Sequence, residues 1–195
     1  MAQTLFIPKE TDPHETRVAA SAETVKKLIA LGFDVVVEKG AGERSRIPDA
    51  EFANAGGRIG SAADAGKADV IIKVRRPTGA ELQGYRPGAA LFAMLDPYGH
   101  EDAVAALAKA GISAFTMEFM PRITRAQVMD VLSSQANLAG YQAVIDAAEV
   151  YDRAMPMMMT AAGTVPAAKV FVMGAGVAGL QAIATARRQI GRAHV

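Results

Sequence analysis

The chain has 195 residues, 51% of them hydrophobic, and its 21 Lys plus Arg against 20 Asp plus Glu leave a net charge of only +1. That balance, with no basic patch interleaved with aromatics, argues against a nucleic-acid partner, and the absence of cysteine excludes a disulfide framework and thiolate chemistry. The three histidines, His14, His100 and His194, match no metal-ligand spacing, and the first ten residues lack the basic segment and long apolar run of a signal peptide.

In chain order, Leu5-Phe-Ile7 reads as a strand. Ala22 to Leu31 reads as a helix, with Ser21 as its N-cap, Ala22, Val25, Leu28 and Ile29 on one face and Gly32 at its stop. Val35-Val-Val37 is a second strand, followed by the turn Gly40-Ala-Gly42 and a short helix from Asp49 to Ala55 that stops at Gly56-Gly57. Val70 to Val74 and Ala89 to Leu95 are continuous apolar runs of strand length. Glu101 to Ala110 is a helix ending at Gly111, and Ile112 to Phe115 is another strand. Strands apolar on both faces and separated by helices imply a mostly parallel sheet covered by helices on both sides.

From Ala126 to Ala148 the pattern becomes one long helix, broken by Pro156 and by Met157-Met-Met159, which read as gap-filling apolar contacts. Thr160 to Pro166 reads as a loop leading into a buried strand at Val170-Phe-Val-Met173. That strand runs into Gly174-Ala-Gly176-Val177-Ala-Gly179 and a helical stretch from Leu180 to Arg188. Strand, glycine turn and helix in this order form a dinucleotide-binding fingerprint. Gly174 allows the tight turn, Gly176 lets backbone approach a pyrophosphate, and Gly179 lets helix pack close on strand. The acidic residue that holds the adenosine ribose belongs about 20 positions further on, beyond Val195. Val170 to Ala186 is also free of charge, but its spaced glycines and Gln181 favour strand and helix over a membrane span, so the segment is expected to be soluble.

The fold expectation is therefore α/β: two Rossmann-like, doubly wound parallel-sheet domains joined by a long helix, the second only begun. The boundaries fall at 1–125 for the first domain, 126–166 for the linker helix and loop, and 167–195 for the start of the nucleotide domain.

Gln127, Asp130, Ser134 and Asn137 recur at helical spacing and would share one face, with Ser133 beside them and Arg122 just before. Spacing alone favours a solvated face. The other reading is a ring of donors and acceptors for the amide and ribose of a nicotinamide, since a carboxamide needs both.

Pro121-Arg-Ile-Thr-Arg-Ala-Gln-Val-Met-Asp-Val-Leu-Ser-Ser-Gln-Ala-Asn-Leu-Ala-Gly-Tyr141 closely resembles the signature of the NAD(H)-binding domain of proton-translocating nicotinamide nucleotide transhydrogenases. Ile7-Pro-Lys-Glu10, Arg17-Val-Ala, Met157 to Pro166 and the Gly174–Gly179 turn are similar to that family as well. The resemblance implies that Arg122, Gln127, Asp130 and Ser133 hold the nicotinamide end of NAD(H), with Gln127 and Asp130 nearest the reaction. Gly174, Gly176, Val177 and Gly179 would hold the rest. It further implies hydride transfer from NADH to NADP+, with NADP(H) bound on a partner domain, coupled to proton movement through a membrane domain. The implied partners are that membrane domain and the NADP-binding domain of a beta subunit, with a homodimer of this domain, on the cytoplasmic face of the inner membrane. No metal and no nucleic acid are implied, and this chain alone is expected to be inactive.

Alanine dehydrogenases share the architecture and are the alternative. Arg17 matches their substrate arginine, but in Lys73-Val-Arg75-Arg-Pro77 an arginine stands where they carry a substrate-binding lysine. Asp96 likewise stands where they carry a proton-donating histidine. Reduction of a carbonyl needs a proton donor, and a permanently charged guanidinium does not replace a titratable amine. Arg17 and Lys73 are then expected to be structural, paired with nearby carboxylates. A non-catalytic nucleotide-binding module is a third reading. Ile190-Gly-Arg-Ala-His-Val195 departs from the family pattern, and reads as a sequence-assembly artefact rather than a helix stop at Gly191.

Overall fold

A computed structural model describes residues 2–190, which form two compact units, Met1–Met120 and Pro121–Val195. The reading of the last six residues lies, from 191 onward, outside the described residues.

The first unit is built on a six-stranded, all-parallel sheet. Its strands are β1 (Thr4–Ile7), β2 (Asp34–Glu38), β3 (Arg58–Gly60), β4 (Val70–Arg75), β5 (Ala90–Met94) and β6 (Ser113–Thr116), in the spatial order β3-β2-β1-β4-β5-β6. Strand side chains alternate between faces, so Leu5, Ile7, Val35 and Val37 enter one core and Phe6, Val36, Ile71 and Leu91 the other. Val25 of helix α1 (Ala22–Ala30) and Phe52 of helix α2 (Asp49–Asn54) close the first core. The second is closed by Tyr85, which follows helix α3 (Gly79–Gln83), and by Leu107 of helix α4 (Glu101–Lys109).

The local signals act as their chemistry dictates. Ser21 caps α1 by accepting the Thr24 amide at 3.3 Å, and Gly32 leaves the helix at φ 97°, a conformation that a side chain would strain. Strand β3 and helix α3 were not expected. Both are short, and β3 is fixed by pairing with β2 (Val37 opposite Ile59), while α3 starts with a capping box between Thr78 and Glu81.

The second unit departs from expectation in three places. The long helix α5 spans Val131–Val150 and is preceded by a 3-10 turn at Thr124–Met129, so helix does not begin at Ala126. Gln127 therefore does not share a helical face with Asp130, Ser134 and Asn137. Thr160 to Pro166 is not a plain loop: β7 (Met158–Thr160) and β8 (Gly163–Val165) form an antiparallel hairpin, with Gly163 at φ 137°. Finally, Val170–Met173 forms no strand. A strand takes its hydrogen bonds from a neighbour, and no strand among the described residues pairs with this segment. The helix that follows, α6 (Val177–Ile190), closes its own bonds and forms regardless, packed on α5.

Candidate functional site

Two regions of the second unit carry the expected nucleotide residues. At the start of α5, Arg122, Gln127, Asp130 and Ser133 line one cleft of about 450 Å³ together with Pro121, Ile123 and Thr124. The 3-10 turn makes this possible. It is anchored by buried Ala126, closes with the Asp130 amide on the Gln127 carbonyl at 3.2 Å, and directs Gln127 into the cleft that the start of α5 opens. Ser134 and Asn137, the other members of the expected stripe, do not line it.

Asp130 is the N-cap of α5. Its carboxylate accepts the Ser133 amide at 2.9 Å and the Ser133 hydroxyl at 2.6 Å. The Ser133 hydroxyl, then its amide, hold the Asp130 carboxyl below the usual carboxylate range against the opposing effect of burial, with Arg122 adding a smaller attraction. The cleft thus offers an ionised carboxylate, a guanidinium, an amide, and a serine oxygen whose proton is committed to Asp130 but whose lone pairs can accept. A carboxamide and a ribose need this mixture.

At the start of α6, Gly174 takes φ 102°, and the Gly176 carbonyl accepts the Leu180 amide at 2.8 Å to open the helix. Nothing lies within 4 Å of where a Cβ on Gly174 or Gly176 would be, so backbone is open to close approach there. A Cβ on Gly179 would instead fall 2.0 Å from the Gly174 carbonyl, so the helix seats directly on its own turn. The amides of Val177 and the residues after it lie in the first helical turn, where no intrahelical acceptor exists and an anion is favoured. Turn and cleft together fit a dinucleotide.

The first unit holds a larger cleft, about 870 Å³, where β1 and β4 diverge at their carboxyl ends, the topological switch point of the sheet. Its cations are met by the chain's own carboxylates. Buried Lys73 sits between Glu10, at 3.5 Å, and Glu81. Glu15 accepts Arg17 Nε at 2.7 Å and Arg75 Nε at 2.8 Å. The hydrogen bonds from Arg17, opposed by burial and assisted by Arg75, hold the Glu15 carboxyl at about 2. Burial pushes Glu10 up despite Lys73 and the amides of Val74 and Arg75. Glu81 stays low because bonds from Lys73 and Thr78 outweigh its burial. Arg17 and Lys73 are paired as the sequence suggested. The carboxylates that pair them, Glu10, Glu15 and Glu81, carried no recognisable signal, because they are scattered in sequence and meet only at the switch point.

Among the described residues no group of three His, Cys, Asp or Glu side chains could hold a metal ion, and no helix is long and apolar enough to cross a membrane.

Comparison with known proteins accords with this arrangement. Family models described as alanine dehydrogenase/PNT, N-terminal domain, and alanine dehydrogenase/PNT, C-terminal domain, match residues 6–139 and 143–193. An NAD(P) transhydrogenase alpha subunit of Rhodospirillum rubrum is 55% identical over 191 residues, covering 94% of this chain and 50% of the relative. The alanine dehydrogenase of Mycobacterium tuberculosis is 33% identical over 181 residues, covering 90% of this chain and 48% of that protein. The crystal structure of a transhydrogenase from Sinorhizobium meliloti superposes with a TM-score of 0.95 at 71% identity, covering 96% of this chain and 57% of that one. The chain spans about half the length of the curated relatives it matches. It belongs to the alanine dehydrogenase/PNT family.

Proposed function

We propose that this chain carries part of the NAD(H) site of a proton-translocating transhydrogenase. Hydride would pass from NADH here to NADP+ on a separate NADP-binding domain, coupled to proton movement through a membrane domain. The observation that carries this reading is the gathering of Arg122, Gln127, Asp130 and Ser133 into one cleft, in the unit that also opens α6 with a glycine turn. In this reading residues 1–125 are the first domain, 126–166 the linker, and 167 onward the start of the nucleotide domain. Higher identity to a transhydrogenase subunit than to an alanine dehydrogenase supports it. So does the self-paired cleft of the first unit, whose Lys73 and Arg17 are already occupied by carboxylates.

Bound nicotinamide supplies the hydride chemistry, and this chain's residues position and orient. Asp130, held ionised and fixed by Ser133, orients the cleft. Gln127 offers a donor and an acceptor to a carboxamide, and the Gly174–Gly179 turn offers amides to a pyrophosphate. No general acid or base is called for when a hydride moves directly between two rings. The proposed placement is peripheral, on the cytoplasmic face of the inner membrane through the partner subunits, as a homodimer of this domain. The exposed Met157, Met158 and Met159 at the hairpin supply apolar surface for such a contact.

Stopped-flow transhydrogenation by the full-length protein with its NADP-binding partner tests the function. Gln127→Ala should slow it about 100-fold, the effect of a misplacement of about 1 Å. Exchange at the parental rate would show that the cleft does not position a nicotinamide. A much smaller Kd for NADH than for NADPH is expected, and comparable constants would contradict the choice of nucleotide. NADH binding without any hydride exchange would favour a non-catalytic module.

A further inference from the structure

Glycine is unfavourable in a helix interior, yet Gly140 sits in the middle of α5, buried. A Cβ built there would fall 2.1 Å from the backbone oxygen of Ala178 and 3.0 Å from its Cα, in the first turn of α6. The obstacle is backbone, so no rotamer change relieves it. At four-residue steps beyond this contact, Val144 and Ala148 of α5 share one apolar cluster with Ala182 and Ala186 of α6. Gly140 is therefore the point of closest approach between the two helices at the end of α6 that carries the glycine turn. The polar cleft lies on the same α5: Ser133 precedes Gly140 by seven residues, about 10 Å along the helix axis.

We propose that Gly140 is a positioning residue that sets the α5–α6 spacing and so holds the Gly174–Gly179 turn in register with the Arg122–Ser133 cleft. The inference rests on the NAD(H) reading above and adds to it a residue that touches no ligand. One half of the dinucleotide site is built on the start of α5 and the other on the start of α6. A methyl group between the helices must drive them apart by about 1 Å, since a carbon and an oxygen without a bond between them approach no closer than about 3.3 Å. Each half would stay intact while their separation changed.

The test is Gly140→Ala in the full-length protein, with Gly179→Ala, which breaks the turn itself, as the contrast. Crystal structures of the parent and Gly140→Ala report the spacing without any nucleotide, and the first turn of α6 should move away from α5. Calorimetry with NADH, which spans both halves, and with ADP-ribose, which needs only the turn, reports the consequence. Gly140→Ala should weaken NADH about tenfold or more and ADP-ribose less than about twofold, the sensitivity expected of a geometric misfit. Gly179→Ala should weaken both alike. If Gly140→Ala proves too unstable to purify, Val144→Ile, a smaller wedge in the same interface, should give the same selective loss at reduced size. An unmoved α6, equal weakening of both ligands, or unchanged NADH affinity overturns the proposal. Failure of the parent to bind NADH would instead sink the nucleotide reading itself, whatever the spacing shows.

Discussion

Val35-Val-Val37 and Val170-Phe-Val-Met173 are equally apolar stretches with opposite environments. The first is completely buried between β1 and β3, whereas in the second Phe171 is 86% and Met173 87% exposed. Hydrophobicity does not separate them, since both would gain by burial. What separates them is the supply of partners. Val36 pairs with Phe6 on one side and Arg58 on the other, so its backbone is satisfied and its side chain lies in a core closed from both directions. The Val170 stretch has no ladder to join, and its apolar side chains line an open groove of about 420 Å³ beside α5 and α6. A helix carries its own hydrogen bonds and a strand borrows them, which is why α6 is present beside a segment that is not a strand.

Amide hydrogen exchange should show the largest contrast. The amides of β1, β2 and β4 should exchange only through global opening, orders of magnitude more slowly than those of Lys169 to Met173, which have little to break first. Comparable protection in both would show that the second segment is paired after all. Core truncation comes next. Phe52→Ala, at a site with no exposure, should cost about 3–5 kcal/mol by denaturant titration, and Phe171→Ser should stay within about 0.5 kcal/mol. A large loss at Phe171 would mean that its groove is closed in solution.

Acid should act on the first unit through Glu15. Its folded value of about 2 lies below the ordinary 4.5, so its stabilisation is fully present above about 4.5 and is lost as pH falls toward about 2. A urea titration series between those values should show a shallower pH dependence for Glu15→Gln. Identical slopes would mean that the Arg17 and Arg75 pairs contribute nothing.

The smallest expected effects refine the cleft. As the N-cap of α5, Asp130→Ala should cost about 1 kcal/mol, whereas Gln127→Ala on the exposed turn should cost less than about 0.5 kcal/mol. Thermal melts of both variants check this; equal losses would mean that the cap is not formed in solution.

These variants also mark what the sequence could and could not reveal. The first unit was legible because its signals are local: Ser21 before an amphipathic run, Gly32 and Gly111 after helices, and valine-rich runs of strand length. Strand β3 was not, since Arg58-Ile-Gly60 is a strand only by virtue of β2. In the second unit the cleft residues were found through a resemblance, and the face they were expected to share does not exist. Counting helical steps from Ala126 carries the wrong phase across a 3-10 turn. Asp130 followed three residues later by Ser133 was a readable N-cap signal, and it would have placed the helix start correctly. Gly140 offered only its own improbability inside a helix, because the carbonyl that requires it lies on another element.

The Glu10 contacts at the switch point bear on the order in which the chain folds. Glu10 accepts the Val74 amide across 64 residues of sequence, while β1 and β2 pair across about half that separation. Closing the longer loop carries its entropic cost before any of these bonds can form. The Glu10, Lys73 and Glu81 cluster should therefore assemble late, once β4 has docked on β1, and stay hydrated until then. Interactions absent from the transition state govern the rate of escape from the native state more than the rate of entry. Glu10→Gln should accordingly quicken unfolding in stopped-flow measurements and leave the refolding arm nearly where it was, making this buried cluster a fastener of lifetime rather than a guide to the fold.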